Sequence, residues 1–452
     1  MGLLGCRTFV STRERLRAQR CIEDESSLAK ACSEGKAQRS SSQGYLKFVF
    51  KKDTMQRPYF LLSIFVLTSS LVSCVSAPTS QSVKTQTAQT STISLSPTEP
   101  ILSNTDPDNP YLNCLSPTLK MNDVRAAHSA TLLSDGRVLI AGGFREEGTS
   151  EIAIASAEIF DPETNTFTPT SDMNAPRDGH TATLLPNGQI LLVGGWNQNS
   201  RSSTAELYDP KTGKFEYTGS LMAPRQGFTA TLLKNSQVLI AGGDSARNTS
   251  QLIAELYDPA TNTFTPTGSL NSGRMAHTAT LLDVGKVLLV GGSSGNDKIL
   301  ASAEIYDPGT GKFTSTSNAN IARYKHTAVL LQDGNVLVIG GSNQNDWTGK
   351  YNSAEIYDFK TGKFTRTSDM NGKRFKLADA AILLGDGNVL IGGGNRQIEI
   401  FDVQNQRFIL GDKLDDDYFY SVLTLLQDDH VLITGGYNSN IQPSDKAWIY
   451  CS

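Results

Sequence analysis

The stretch RMAHTATLLDVGKVLLVGG at 274–292, followed by SAEIYDPGTGKFT at 302–314, decides the fold. TATLL and VLLVGG are short runs of aliphatic and β-branched residues separated by a turn, which is a strand–turn–strand signal. In AEIYDP the apolar residues alternate before a proline that halts the strand and opens the next turn. The same core recurs as HSATLLSDGRVLIAGG (128–143), HTATLLPNGQILLVGG (180–195), FTATLLKNSQVLIAGG (228–243) and HTAVLLQDGNVLVIGG (326–341). Looser copies follow in LADAAILLGDGNVLIGGG (377–394) and YSVLTLLQDDHVLITGG (420–436). A period of about 50 residues with this strand content means an array or a propeller. Each unit supplies four strands, a to d from the axis outward. Stacking such sheets face to face around an axis buries faces that a lone sheet would expose.

The Gly-Gly pairs, the AEIYD-type strands and the TGKF or TNTF turns resemble the kelch β-propeller family over 111–452. The resemblance implies an all-β, seven-bladed propeller of the kind found in the central domain of galactose oxidase, and suggests a bacterial kelch-repeat lipoprotein. Unit seven has strands a, b and c (SVLTLL, VLITGG, AWIY) but no strand d. LSPTLKMNDVR at 115–125 aligns with FTPTSDMNAPR at 167–177, the outer strand and lead-in of unit one. The N-terminal end of the domain is therefore expected to complete the last blade. The same alignment sets Cys451 at the position of Asp161 and Cys114 at that of Thr166, across a hairpin mouth that no peptide joins. Opposed strand positions lie about 4.5–5.5 Å apart at Cα, within disulfide range. A Cys114–Cys451 disulfide is expected in place of the turn, which calls for an oxidising compartment.

The upstream sequence agrees with export. YFLLSIFVLTSSLVSC at 59–74 is an apolar run shorter than the roughly 20 residues of a spanning helix, and reads as a signal-peptide core. Leu71, Val72, Ser73 and Cys74 resemble a lipobox, which makes Cys74 the expected lipidation site. The domain plan is an extension at 1–54, disordered or upstream of the true start at Met55, then a lipoprotein-type signal at 55–74. A Ser/Thr/Pro-rich flexible linker at 75–110 leads into the propeller at 111–452. The expected location is the cell envelope, lipid-anchored to a membrane and facing the periplasm or exterior. With 19% charged residues, a net charge of −4 and no basic block, the chain does not read as a nucleic-acid binder.

Strands of alternating direction sort the loops by face. The a–b and c–d turns are tight and share one face. The b–c loops are long and varied, apart from a near-absent one in unit six, and variable loops on a rigid scaffold are where binding usually lies. Trp196, Trp347 and Tyr437 in these loops are taken as exposed aromatic contacts. Arg125, Arg177, Arg225, Arg274, Arg323 and Arg374 recur three residues before the His position. They form either a cationic collar for a ligand or structural pairs with Glu158, Glu206, Glu255, Glu304, Glu355 and Glu399. Unit seven replaces both members at once, with Tyr418 and Trp448, which favours the pairs. His128, His180, His277 and His326 share a position held elsewhere by Phe228 and Leu377. That reads as packing and not as a metal ring, so no metal, cofactor or catalytic residue is assigned. The expectation is a monomeric binding module for a protein or an envelope glycan. The alternative is a carbohydrate-active kelch enzyme such as a sialic-acid epimerase.

Overall fold

The computed structural model describes residues 109–451 except 149, 199, 246–249 and 296–297. The expected extension, the expected signal segment with Cys74 and all but the end of the expected linker lie outside the described residues.

Among the described residues there is no α-helix, and seven four-stranded antiparallel sheets are present. Blade 1 runs Ser129–Leu132, Val138–Ala141, Ala157–Asp161 and Thr166–Pro169 as strands a to d. Blades 2 to 6 repeat this order, and the inner strands touch their neighbours in a closed ring that returns from blade 7 to blade 1. Every strand b is fully buried, as in Val138–Ala141 and Val431–Thr434, because both of its faces are covered. That is why these strands read as unbroken apolar runs and do not alternate. The core is accordingly a set of layers, one per seam. Leu139 and Ile159 of blade 1 meet Ile190 and Tyr208 of blade 2, and Val138 and Phe160 meet Leu432 and Ala447 of blade 7.

The Gly-Gly pairs are joints between blades. Gly142 and Gly143 have φ of 63° and 94°, a left-handed region that favours glycine. A Cβ on Gly142 would stand 2.5 Å from the Arg177 carbonyl oxygen, and one on Gly143 would stand 2.7 Å from that of Ala126. The amide of Gly143 donates to the same Arg177 carbonyl at 2.9 Å, so inner strand and neighbouring lead-in lock together.

The last blade is closed by the first strand. Leu119–Arg125 pairs with Ser444–Tyr450 antiparallel, with Leu119 opposite Ala447, and an isolated bridge sets Leu115 opposite Tyr450. Ser116 exchanges two bonds with Ile449, its amide to the carbonyl and its hydroxyl from the amide, both 2.8 Å. Cys114 and Cys451 are disulfide-bonded with their Cα atoms 4.8 Å apart. The Asp412 carboxylate of blade 6 accepts the amides of Asn113, Cys114 and Leu115 at 2.7–2.9 Å. At another seam the same place is held by Ser171, whose hydroxyl donates to Gly213 in the next c–d turn.

Two of the long loops are themselves hairpins. Phe144–Glu147 pairs with Ser150–Ala153, and Trp196–Asn197 pairs with Ser200–Arg201.

Candidate functional site at the long-loop face

The six arginines are not a collar. All are at most 1% exposed, and each sits on its own blade's glutamate, as Arg177 does on Glu206 at 2.6 Å and Arg323 on Glu355 at 2.8 Å. The second guanidinium nitrogen donates to the carbonyl of the first glycine of the pair, as in Arg323 to Gly340 at 2.6 Å. Blade 6 uses the Gly393 carbonyl, at 3.0 Å, and there the nitrogen paired with Glu399 also donates to the Gln397 carbonyl. The reading of these side chains as ligand contacts is therefore corrected, because each guanidinium is consumed by its own blade.

One partner of this joint was missed. Asn122, Asn174, Asn271, Asn320 and Asn371 stand three residues before the arginine and donate to the far oxygen of the glutamate. The signal, a repeated N-x-x-R, is visible in the sequence. Burial works against the Glu355 carboxylate, but the bonds from Arg323 and Asn320 outweigh it and hold it below its usual range. In blade 3 the asparagine is replaced by Met222, which is 63% exposed and supplies only its backbone amide to Glu255.

The histidines are equally committed. Ser129, Thr229 and Thr278 of the preceding inner strand bond His180, His277 and His326 at Nε2 at 2.9–3.2 Å, and His128 meets Thr434 at 2.8 Å. Burial, with Arg177 nearby, pushes His180 down to about 3, and the other three also lie well below their ordinary value. They are neutral imidazoles bridging blades. His430 lies in an exposed a–b turn beside Asp428, at 3.1 Å.

The aromatic expectation needs correction. Tyr437 is buried at 4% exposure, while Trp196 and Trp347 are half-buried. Trp196 packs under the Arg201 guanidinium, which pairs with Asp244 at 2.5 Å. Tyr437 and Trp347 belong to a cluster at the end of the axis with Ala126, Phe144, Phe375 and Phe419.

The backbone explains why that cluster forms on one side. The residue two after the arginine position is left-handed in all seven blades: Ala127, Gly179, Gly227, Ala276, Lys325, Lys376 and Tyr420, with φ of 49–63°. Several bond from blade to blade, as Gly179 to Ala127 at 2.9 Å and Ala276 to Gly227 at 2.7 Å. Blades 2 and 3 place glycine there, which suits the conformation, and blades 1 and 4 place alanine, whose Cβ already meets the left-handed cost. Blades 5 to 7 place long side chains, against a left-handed cost of about 1 kcal/mol each. Strain of this kind concentrates at functional sites.

These long side chains fill the mouth. Lys325 pairs with Asp346, which also accepts the hydroxyls of Tyr324 and Ser342. Lys376 donates to the Tyr437 hydroxyl and lies 4.6 Å from the Trp347 ring centroid. Burial raises the Tyr437 and Tyr420 phenols, aided by neighbouring carboxylates that include Glu151, Asp178 and Asp346. Trp347, Phe375 and Phe419 stand edge-on to one another at 5.1–5.3 Å. Lys350 lies over all three, 5.4–5.6 Å from each centroid. A cavity of about 390 Å³ occurs elsewhere, at the closing seam beside Cys114, Ser116, Pro162, Asp428, His430 and Cys451.

The chain is a seven-bladed β-propeller carrying kelch motifs. The kelch motif matches at 125–174, 179–222, 279–320 and 323–371. Those four segments cover the blades with histidine at the repeat position, and the unmatched blades carry Phe228, Leu377 and Ser421 there. No curated protein matches the chain. A solved structure of similar fold is a fungal alcohol oxidase of the AA5 family in complex with copper, 20% identical with a TM-score of 0.48. The match covers 72% of this chain and 62% of the oxidase.

Proposed function

We propose that the protein is an exported binding module, anchored through a lipid on Cys74, which captures a protein or an envelope glycan on the long-loop face of its propeller. The observation that supports this reading is the one-sided mouth, where blades 5 to 7 alone place lysine and tyrosine on strained backbone beside Trp347. The buried polar groups there, Lys325 with Asp346 and Lys376 with Tyr437, are spent on one another, which suits a loop-lined recognition surface better than a reaction chamber.

Binding is tested by passing envelope extract and envelope polysaccharide over the full-length protein, with a Gln344→Ala/Asn345→Ala/Lys350→Ala variant beside it. Those side chains lie at the loop surface, so the variant is expected to keep its melting temperature and lose capture. Equal capture by both proteins would remove the proposed face. Anchoring is tested with Cys74→Ser, expected to move the protein from the membrane fraction to the soluble one. The epimerase alternative draws on the same tyrosines and lysines. Following anomer exchange of sialic acids, we expect no rate above the uncatalysed one.

A further inference from the structure

Resting on that binding reading, we infer that the ligand is an acidic glycan whose carboxylate is held by Lys350 above the Trp347–Phe375–Phe419 triad. Among the lysines at the mouth, Lys325 and Lys376 are buried at 6% exposure and bonded to Asp346 and Tyr437. Lys350 is half-exposed, and its ammonium meets only aromatic rings among the described residues. A cation over ring faces is held in place by the ring quadrupoles yet keeps its hydrogen-bonding capacity for an incoming anion.

The surrounding loops favour a sugar over an acidic peptide. Gln344 and Asn345 beside Trp347 are exposed, and their side-chain amides make no hydrogen bond among the described residues. Asn440 and Gln442 are exposed in the blade 7 loop, which follows Tyr437. Planar amides offer a donor and an acceptor side by side, which suits vicinal hydroxyls, and an aromatic body suits the C–H face of a pyranose. The loop holding Lys350 is itself built for display. Asn343 folds inward to accept the Asn345 amide at 2.8 Å, and Gly349 closes the turn onto the Asn345 carbonyl at 2.5 Å. This turn presents residues 344 and 345 outward. In blade 6 five residues, Gly392 to Arg396, separate Ile391 at the end of strand b from Gln397, so the neighbouring loop is short; Phe375 and Phe419 are buried, and Trp347 is the ring of the triad that stays partly exposed.

The test titrates full-length protein with oligogalacturonate, with the carboxyl-reduced oligomer of equal length, and with oligoglutamate, by calorimetry and tryptophan fluorescence. Oligogalacturonate is expected to bind, with at least tenfold weaker binding for the reduced oligomer and for Lys350→Gln, and with recovery in Lys350→Arg. The melting temperature of each variant is read alongside, to separate lost contact from lost fold. Equal binding of the acidic and reduced oligomers would overturn the acidic assignment while leaving a glycan-binding module standing. Oligoglutamate binding as well as the uronate would overturn the sugar assignment. Binding of none of the three would overturn the inference, and capture of another envelope component by the same loops would still support the broader reading.

Discussion

In blades 1 to 6 a guanidinium and a carboxylate meet inside the sheet, while in blade 7 Tyr418 and Trp448 stand at the same two positions, 5.2 Å apart. The outer strands differ too. Each of the first six has a ring pair across c and d, from Phe160–Phe167 at 4.8 Å to Phe401–Phe408 at 4.9 Å. In blade 7, Tyr450 faces Leu115, and the disulfide lies beside that pair. The position thus holds a complete ion pair in six blades and two packed rings in the seventh. A buried pair is of uncertain net worth, but breaking it leaves a charge without a partner in low dielectric.

The largest effect expected from this comparison follows Arg323→Met, which strands Glu355 and should cost about 3–5 kcal/mol. Chemical denaturation measures it. Adding Glu355→Leu should recover most of the loss, and a double variant no better than the single would show that the ion pair itself supplies the stability. Next comes the clasp. Cys114→Ser removes the cross-link between chain positions 337 residues apart and should cost about 2–4 kcal/mol. Under hydrogen exchange the added opening should appear first where Leu119–Arg125 pairs with Ser444–Tyr450, ahead of blades 2 to 5.

Blade 3 sharpens the comparison from the other side, since it departs from the repeat twice. Phe228 stands where four blades have histidine, and the Thr181 hydroxyl it faces is buried without a hydrogen-bond partner among the described residues. Phe228→His should satisfy that hydroxyl and add about 1 kcal/mol at pH 8. The imidazole would be held neutral, as His180 is at about 3, so the unfolded chain binds the proton more readily. The gain should be present above the unfolded value near 6.5 and fade as pH falls below it. A gain that grew in acid would contradict the neutral bridge. The smallest effect is at Met222. Met222→Asn restores the bond to Glu255 and should stabilise by about 0.5–1 kcal/mol in thermal melts.

Much of this architecture was legible because the repeat writes each residue several times. Strand order, the closing strand and the arginine–glutamate partnership all follow from comparing units within one chain. The mouth was less legible. Tyr437 and Trp347 look like loop aromatics in sequence, but the axis brings them against Phe375 and Phe419, residues separated from them by up to about 70 positions in a chain of blades about 50 long. Periodicity shows which residues share a position and says little about which unlike residues converge at the centre. The left-handed position two after the arginine was visible as Ala, Gly, Gly, Ala, Lys, Lys, Tyr, but its conformation is a matter of backbone geometry that no side chain announces.

The most direct measurement is a peptide map of the oxidised protein, digested without reductant. The closure described here predicts a linked pair of peptides joining Cys114 to Cys451, separable only by reduction. Recovery of both as free thiols, or of Cys114 joined to any other cysteine, would mean that the first strand does not complete the last blade in this way.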